Sequence, residues 1–250
     1  KLHGTAAIRY QATPSSRELI VDTRGLTIHR VTSVGDTLYE LKYHLDAEVP
    51  FLGQALHIPL DALQGEILIE YTTSPDAAAL QWLLPQQTAG KKQPFLFSQS
   101  QAILARTWAP VQDSPGIRFT YEARLKVPAD LMAVMSAENP MVKNDSGVYT
   151  FSMKQPIPAY LLAIAVGDIA FMSLDNRSGV YAEPVLLERA ADEFAELPNM
   201  IAAAEQLYGP YAWGRYDLIV LPPSFPFGGM ENPRLTFATP TIIADDRSLT

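Results

Sequence analysis

The residues Ile117 to Val127 alternate without a break. Ile117, Phe119, Tyr121, Ala123, Leu125 and Val127 are apolar, and Arg118, Thr120, Glu122, Arg124 and Lys126 between them are polar or charged. A period of two puts each set on its own face of an extended chain, whereas a helix would scatter both sets around its circumference. The segment therefore predicts a strand with one face packed and the other wet. The same pattern runs through Ala6, Ile8 and Tyr10 against Ala7, Arg9 and Gln11, and through Ile67, Ile69 and Tyr71 against Glu66, Leu68 and Glu70. Further strand-like runs lie at Glu18 to Asp22, Leu26 to Val31, Leu38 to Tyr43, Leu131 to Ser136, Val148 to Met153 and Tyr160 to Val166. Turn signals such as Ser114-Pro115-Gly116 and Asn144-Asp145-Ser146-Gly147 separate them. That arrangement predicts a mainly β region, an antiparallel saddle or sandwich, over residues 1–171.

The period changes after about Ser173. Val185 to Tyr208 is rich in Ala, Leu and Glu, with Leu186, Ala190, Phe194 and Leu197 at helical spacing. Pro198 is placed to start a second helix, since proline is tolerated at a first turn and not in an interior. Ile201, Ala204 and Leu207 continue the apolar face, and Gly209-Pro210 ends it. Arg215 to Leu221 and Leu235 to Thr239 read as strands, and Ser248 as the N-cap of a further helix. A second domain of α/β type is thus expected over 172–250, begun and not finished.

Composition excludes several chemistries. The formal charge is -8, with 19 Lys and Arg against 27 Asp and Glu and no basic cluster, so nucleic acid is not an expected partner. With no cysteine there is no thiolate nucleophile, disulfide or Cys-ligated metal. No apolar run reaches the length of a membrane-spanning helix, and no membrane association is expected. His3, His29, His44 and His57 all fall in the first sixty residues without metal-ligand spacing, and each reads as a surface or cross-strand side chain. No Gly-x-Ser-x-Gly elbow surrounds a serine, and Gly228-Gly229 has no lysine to make it a phosphate loop.

One stretch remains, Leu221 to Arg234. Pro222, Pro223, Pro226 and Pro233 stiffen it around Gly228-Gly229, and it presents a single carboxylate, Glu231. Read alone, a lone loop Glu is a solvated charge.

Its neighbours change that reading. Gly228-Gly229-Met230-Glu231-Asn232 matches the Gly-x-Met-Glu-Asn exopeptidase motif of the gluzincin aminopeptidases, zinc enzymes, and with Pro233 it resembles their leukotriene A-4 hydrolase and aminopeptidase B branch. Tyr211-Ala212-Trp213-Gly214-Arg215-Tyr216-Asp217 leads into the loop, and Leu235 to Thr241 leaves it, in family fashion. Ala79 to Leu83, Phe97 to Ala102 and Pro110 to Pro115 are similar blocks in the family order.

The resemblance implies a thermolysin-like catalytic domain after a β-rich N-terminal domain, and a metallo-aminopeptidase that releases N-terminal residues from peptides. It gives Glu231 and Gln101 the task of holding the substrate's α-ammonium and lays the Gly228-Gly229 backbone against the peptide. The strand after the motif offers its edge to the substrate. Gln99, Ser100, Pro226, Phe227 and Met230 complete the implied substrate-binding set. Phe227 stands where the nearest members have Tyr, so that wall lacks a hydroxyl. Asn232 is expected to hold the loop's own backbone. The family's His-Glu-x-x-His zinc motif follows the position of Ser248, so the zinc ligands and general base are expected beyond Thr250, with no catalytic residue or metal ligand in this chain. The chain by itself is expected to be inactive, and the parent to be a cytoplasmic monomer acting on peptides with a free N-terminus. Two other readings stand beside this one: a non-catalytic scaffold that has lost the zinc motif, and an adhesion module in which residues 1–171 fold alone.

Overall fold

A computed structural model describes residues 1–35, 38–225 and 228–244. The chain forms two compact units, one of Lys1–Leu80, Gln99–Arg118 and Pro158–Tyr160, the other of Gln81–Ser98, Phe119–Ile157 and Leu161–Thr250.

In the first unit, strands β1 (His3–Gln11), β2 (Glu18–Thr23), β3 (Thr27–Val34), β4 (Tyr39–Glu40), β5 (His44–Leu45), β6 (Gln54–Pro59) and β7 (Gln64–Thr72) make two antiparallel sheets, ordered β1-β7-β3-β4 and β2-β6-β5. Alternation sets the register. Ala6 faces Ile69 and Ile8 faces Ile67 across β1 and β7, which carries the apolar set of each strand to one side. Val21, Val31, Leu56, Ile58, Ile67 and Ile69 are buried in the resulting core, with Ala6, Ile8 and Tyr10 packed against it. Burial of such aliphatic side chains stabilises by about 1.5–3 kcal/mol each.

The second unit holds β8 (Leu80–Leu83), β9 (Phe95–Ser98), β11 (Met132–Met135) and β13 (Ile164–Gly167) in one sheet, ordered β11-β13-β9-β8. Strands β10 (Arg118–Lys126) and β12 (Val148–Pro158) pair with each other. Strands β14 (Ala170–Ser173), β15 (Ser178–Ala182), β16 (Tyr216–Val220), β17 (Gly229–Met230) and β18 (Thr236–Ala238) form a mixed sheet ordered β14-β15-β16-β18-β17. The β15-β16 and β16-β18 pairs are parallel and both edge pairs antiparallel. Parallel strands need a crossover. Helices α1 (Leu187–Glu193) and α2 (Leu197–Tyr208) supply it between β15 and β16. Ala190, Leu197 and Ile201 pack on Val180, Leu218 and Val220, with Leu186 and Phe194 alongside. Pro198 sits in the first turn of α2, and Gly209, at φ +89, caps its end.

Strand makes up 42% of the chain and helix 13%, a mainly β N-terminal part followed by an α/β part. The expected boundary at 171/172 falls within β14. Several local expectations change. Of Leu38 to Tyr43, only Tyr39 and Glu40 pair as strand. The apolar run Tyr160 to Val166 divides into a 3-10 turn, Ala159–Leu161, and β13. Ala204 and Leu207 do not extend the buried face of α2: both are exposed, Leu207 by 76%. Ser248 lies outside the described residues.

Candidate substrate cleft

Strand β16 ends at Val220 and the chain runs through Pro222 and Pro223 to Phe225 before turning back as β17. Phe225 is buried and meets Phe97 and Phe237 edge-on, with ring centroids 5.5 and 6.2 Å away. The loop is thereby pinned from beneath by an aromatic contact as well as stiffened by prolines. Gly229 pairs with Ala238 and Met230 with Phe237. A Cβ on Gly229 would lie 3.0 Å from the Phe237 carbonyl oxygen, so this register favours glycine there. Around Gly228 the corresponding space is open. Neither glycine uses a left-handed conformation; in this loop Arg234 does, at φ +65. Met230 is 4% exposed, buried beside the cleft.

The edge of the mixed sheet is β17 itself. β18 is flanked by β16 and β17, so the strand after the motif has no free edge, contrary to expectation. Asn232 also departs from its expected role. It is buried, and its side-chain Nδ2 has no hydrogen-bond partner among the described residues, while its backbone oxygen accepts Leu235 N–H at 3.2 Å.

Beside this segment opens a cleft of about 540 Å³, with Leu161, Tyr211, Trp213 and Tyr216 on its lining together with Gly229 to Pro233 and Thr236. Glu231 is exposed there, and among the described residues no hydrogen bond or ion pair engages its carboxylate. The aromatic wall is braced. Tyr211 and Tyr216 meet edge-on at 5.8 Å, and the Thr236 hydroxyl donates to Tyr216 Oη at 3.1 Å. Tyr211 N donates to Glu205 Oε1 at 2.8 Å, and Arg177 grips the same carboxylate with both terminal nitrogens, each at 2.7 Å. That guanidinium, with the Tyr211 amide, pulls the Glu205 carboxyl down to about 2. Burial pushes the Tyr211 phenol up to about 12, so it is neutral at physiological pH. Next to Tyr216, Arg215 forks onto the buried Asp217 at 3.0 and 2.8 Å; burial nevertheless holds Asp217 above the usual carboxylate range.

Of the sequence-predicted residues, Gly229, Met230 and Glu231 line the cleft and Gly228 adjoins them. Pro226 and Phe227 lie outside the described residues. Gln99, Ser100 and Gln101 belong to the first unit. Ser100 is buried and accepts Trp108 Nε1–H at 3.1 Å. Gln99 Oε1 accepts Gln101 N–H at 3.0 Å, so its oxygen is turned back onto its own chain, while the Gln101 side chain is exposed. Tyr211, Trp213, Tyr216 and Thr236 were not assigned to the site from sequence, although three aromatics within six residues, directly before a proline-rich loop, signal a wall. Zinc does not fit the cleft residues alone: they offer one carboxylate and no imidazole, against the three or more protein ligands such an ion takes.

Residues 1–161 match the Peptidase M1 N-terminal domain and residues 193–250 the Peptidase family M1 domain. Leukotriene A-4 hydrolase of Xenopus laevis is 45% identical over 245 residues, which is 94% of this chain and 40% of that protein. Aminopeptidase B of Mus musculus is 51% identical over 169 residues, covering 67% of this chain and 26% of its own length. Native yeast leukotriene A4 hydrolase superposes with a TM-score of 0.91 at 36% identity, over 99% of this chain and 39% of that structure. The yeast enzyme in complex with bestatin gives 0.90. The chain therefore spans about two fifths of the length of the leukotriene A-4 hydrolases it matches. A family match across residues 1–161, with leukotriene A-4 hydrolase and aminopeptidase B as relatives at these identities, means that the chain belongs to peptidase family M1.

Proposed function

We propose that these residues form the substrate-amine end of a zinc-dependent aminopeptidase, and that Glu231 accepts hydrogen bonds from the α-ammonium of a peptide with a free N-terminus. The carrying observation is the uncommitted carboxylate at the end of an edge strand, facing an aromatic-walled cleft. An ammonium held by an anchored carboxylate forms a charge-assisted bond, and fixing the amine at one end measures a single residue to the scissile bond. The free side of β17 at Gly229 and Met230 offers backbone groups to an extended peptide, and Asn232 Nδ2 is a buried donor still to be satisfied. Gln101, exposed at a turn, is the proposed second partner for the amine.

Zinc and its general base belong to the same proposal and are placed outside these 250 residues, so the chain alone is expected to leave an aminoacyl anilide uncleaved. A monomer in the cytoplasm, with peptides and neither nucleic acid nor membrane as its partners, completes the reading. Among the described residues no helix is long and apolar enough to cross a membrane. The test is Glu231→Ala in the full-length protein, assayed on an aminoacyl anilide. Loss of a charge-assisted hydrogen bond of about 1.5–3 kcal/mol predicts a fall in kcat/KM of about tenfold to hundredfold. Unchanged KM and kcat would remove Glu231 from the amine site.

A further inference from the structure

We propose that His44, Asp46 and His57 form a site for one divalent cation of the Zn2+ or Cu2+ class, with Glu18 orienting His57. Three strands bring these groups to one face. His44 on β5 stands directly opposite His57 on β6, and Asp46 follows two residues after His44. On the other side of β6, His57 pairs with Ile20 of β2, which places Glu18 diagonally across from it.

The distances suit a metal. His57 Nε2 lies 3.1 Å from Asp46 Oδ2, and His44 Nε2 lies 3.4 Å from Asp46 Oδ1. Ligands about 2.0–2.1 Å from a tetrahedral ion are separated from one another by about 3.3–3.4 Å. Candidate ligand atoms of the three residues all fall within 4.8 Å of one another. The two imidazoles stack at 4.5 Å and 13°. His44 has a 65% exposed side chain on an edge strand, so rotation of its ring can bring the second nitrogen onto the same point. His57 Nδ1 meets Glu18 Oε2 at 3.1 Å. A carboxylate on the far nitrogen is how ligating histidines are commonly fixed in tautomer and orientation. Two imidazoles, one carboxylate and an open fourth position favour zinc or copper over the harder magnesium and calcium.

The competing reading is an imidazolium of His57 bracketed by Glu18 and Asp46, in which His44 has no part. Calorimetric titration of the tag-free, chelator-treated 250-residue chain with Zn2+ is expected to show one saturable equivalent. His44→Asn and Asp46→Asn should each weaken it by about tenfold or more, and Glu18→Gln by about tenfold. With Cu2+, electron paramagnetic resonance should resolve two ligating nitrogens in the parent chain and one in His44→Asn. His44 is exposed, so that variant is expected to fold, with an unchanged far-ultraviolet dichroism spectrum as the check. Absence of a saturable equivalent, or equal affinity in His44→Asn, overturns the site.

Discussion

Glu205 shows how much of the cleft depends on residues that never reach it. One carboxylate ties Arg177, which precedes β15, to the C-terminal part of α2 and to the backbone of Tyr211 on the cleft wall. Its folded-state pKa of about 2 lies below the ordinary 4.5, because Arg177 and the Tyr211 amide favour the charged form. A depressed carboxyl stabilises fully above its unfolded value and loses that contribution as pH falls through about 4.5 toward 2. Glu205→Gln should therefore lower the urea midpoint at pH 6 and lower it much less at pH 3. A gap equally wide at both pH values would show that the pair contributes no pH-dependent stability. Residue-level reading of the sequence reached Glu231 through its motif. It did not reach Glu205, because nothing in a helical Glu announces an arginine 28 residues upstream. Asn232 was found but given another role, since side-chain satisfaction appears only in three dimensions.

At the scale of elements, legibility followed alternation. β1, β7 and β10 were readable because one face of each is more buried than the other. β9 is buried at every position, so its Phe95-Leu96-Phe97-Ser98 run carries no period, and β8 is as short. Conversely, the long apolar run from Tyr160 could not say where a 3-10 turn yields to strand. The 3-10 turn Ala105–Thr107 was equally silent, and it carries a buried ion pair. Arg106 Nε meets Asp113 Oδ2 at 3.1 Å, Nη2 donates to Asp113 O at 2.8 Å, and Nη1 donates to Leu52 O at 2.8 Å. Asp113 is 2% exposed, and burial holds its carboxyl above the usual range even with Arg106 beside it. Removing one partner of such a pair strands the other charge, at a cost of about 3–5 kcal/mol. Arg106→Met should show that loss in urea denaturation, and Arg106→Met with Asp113→Leu should recover part of it. A single-variant loss below about 1 kcal/mol would mean that water reaches Asp113.

For the whole molecule, sequence order and compactness disagree. Reading along the chain places a β domain first and an α/β element second, yet the second compact unit draws on Gln81–Ser98, Phe119–Ile157 and Leu161–Thr250 together. Within that unit the later segment completes the earlier ones. Phe225 packs against the buried Phe97, and Glu183 accepts the amides of Ala89 and Gly90 at 2.7 and 3.0 Å. Tyr181 Oη donates to Pro140 O at 3.0 Å, and Gln155 Nε2 to Ala212 O at 3.2 Å. A chain ending at residue 171 forfeits all five contacts and uncovers Phe97, whose large-to-small equivalent alone costs about 3–5 kcal/mol. It is expected to unfold at lower urea than the 250-residue chain, and to bind a hydrophobic dye that the longer chain excludes. The dye separates loss of packing from simple shortening, because a self-sufficient module of residues 1–171 would expose no new apolar surface. Coincident urea transitions and no dye binding would make that module independent and reduce the later segment to an appendage. Short of that result, the segment after residue 171 supplies the buried Val180, Leu218, Val220, Phe225 and Phe237 to the second unit, so the proposed amine site rests on the same packing as the fold.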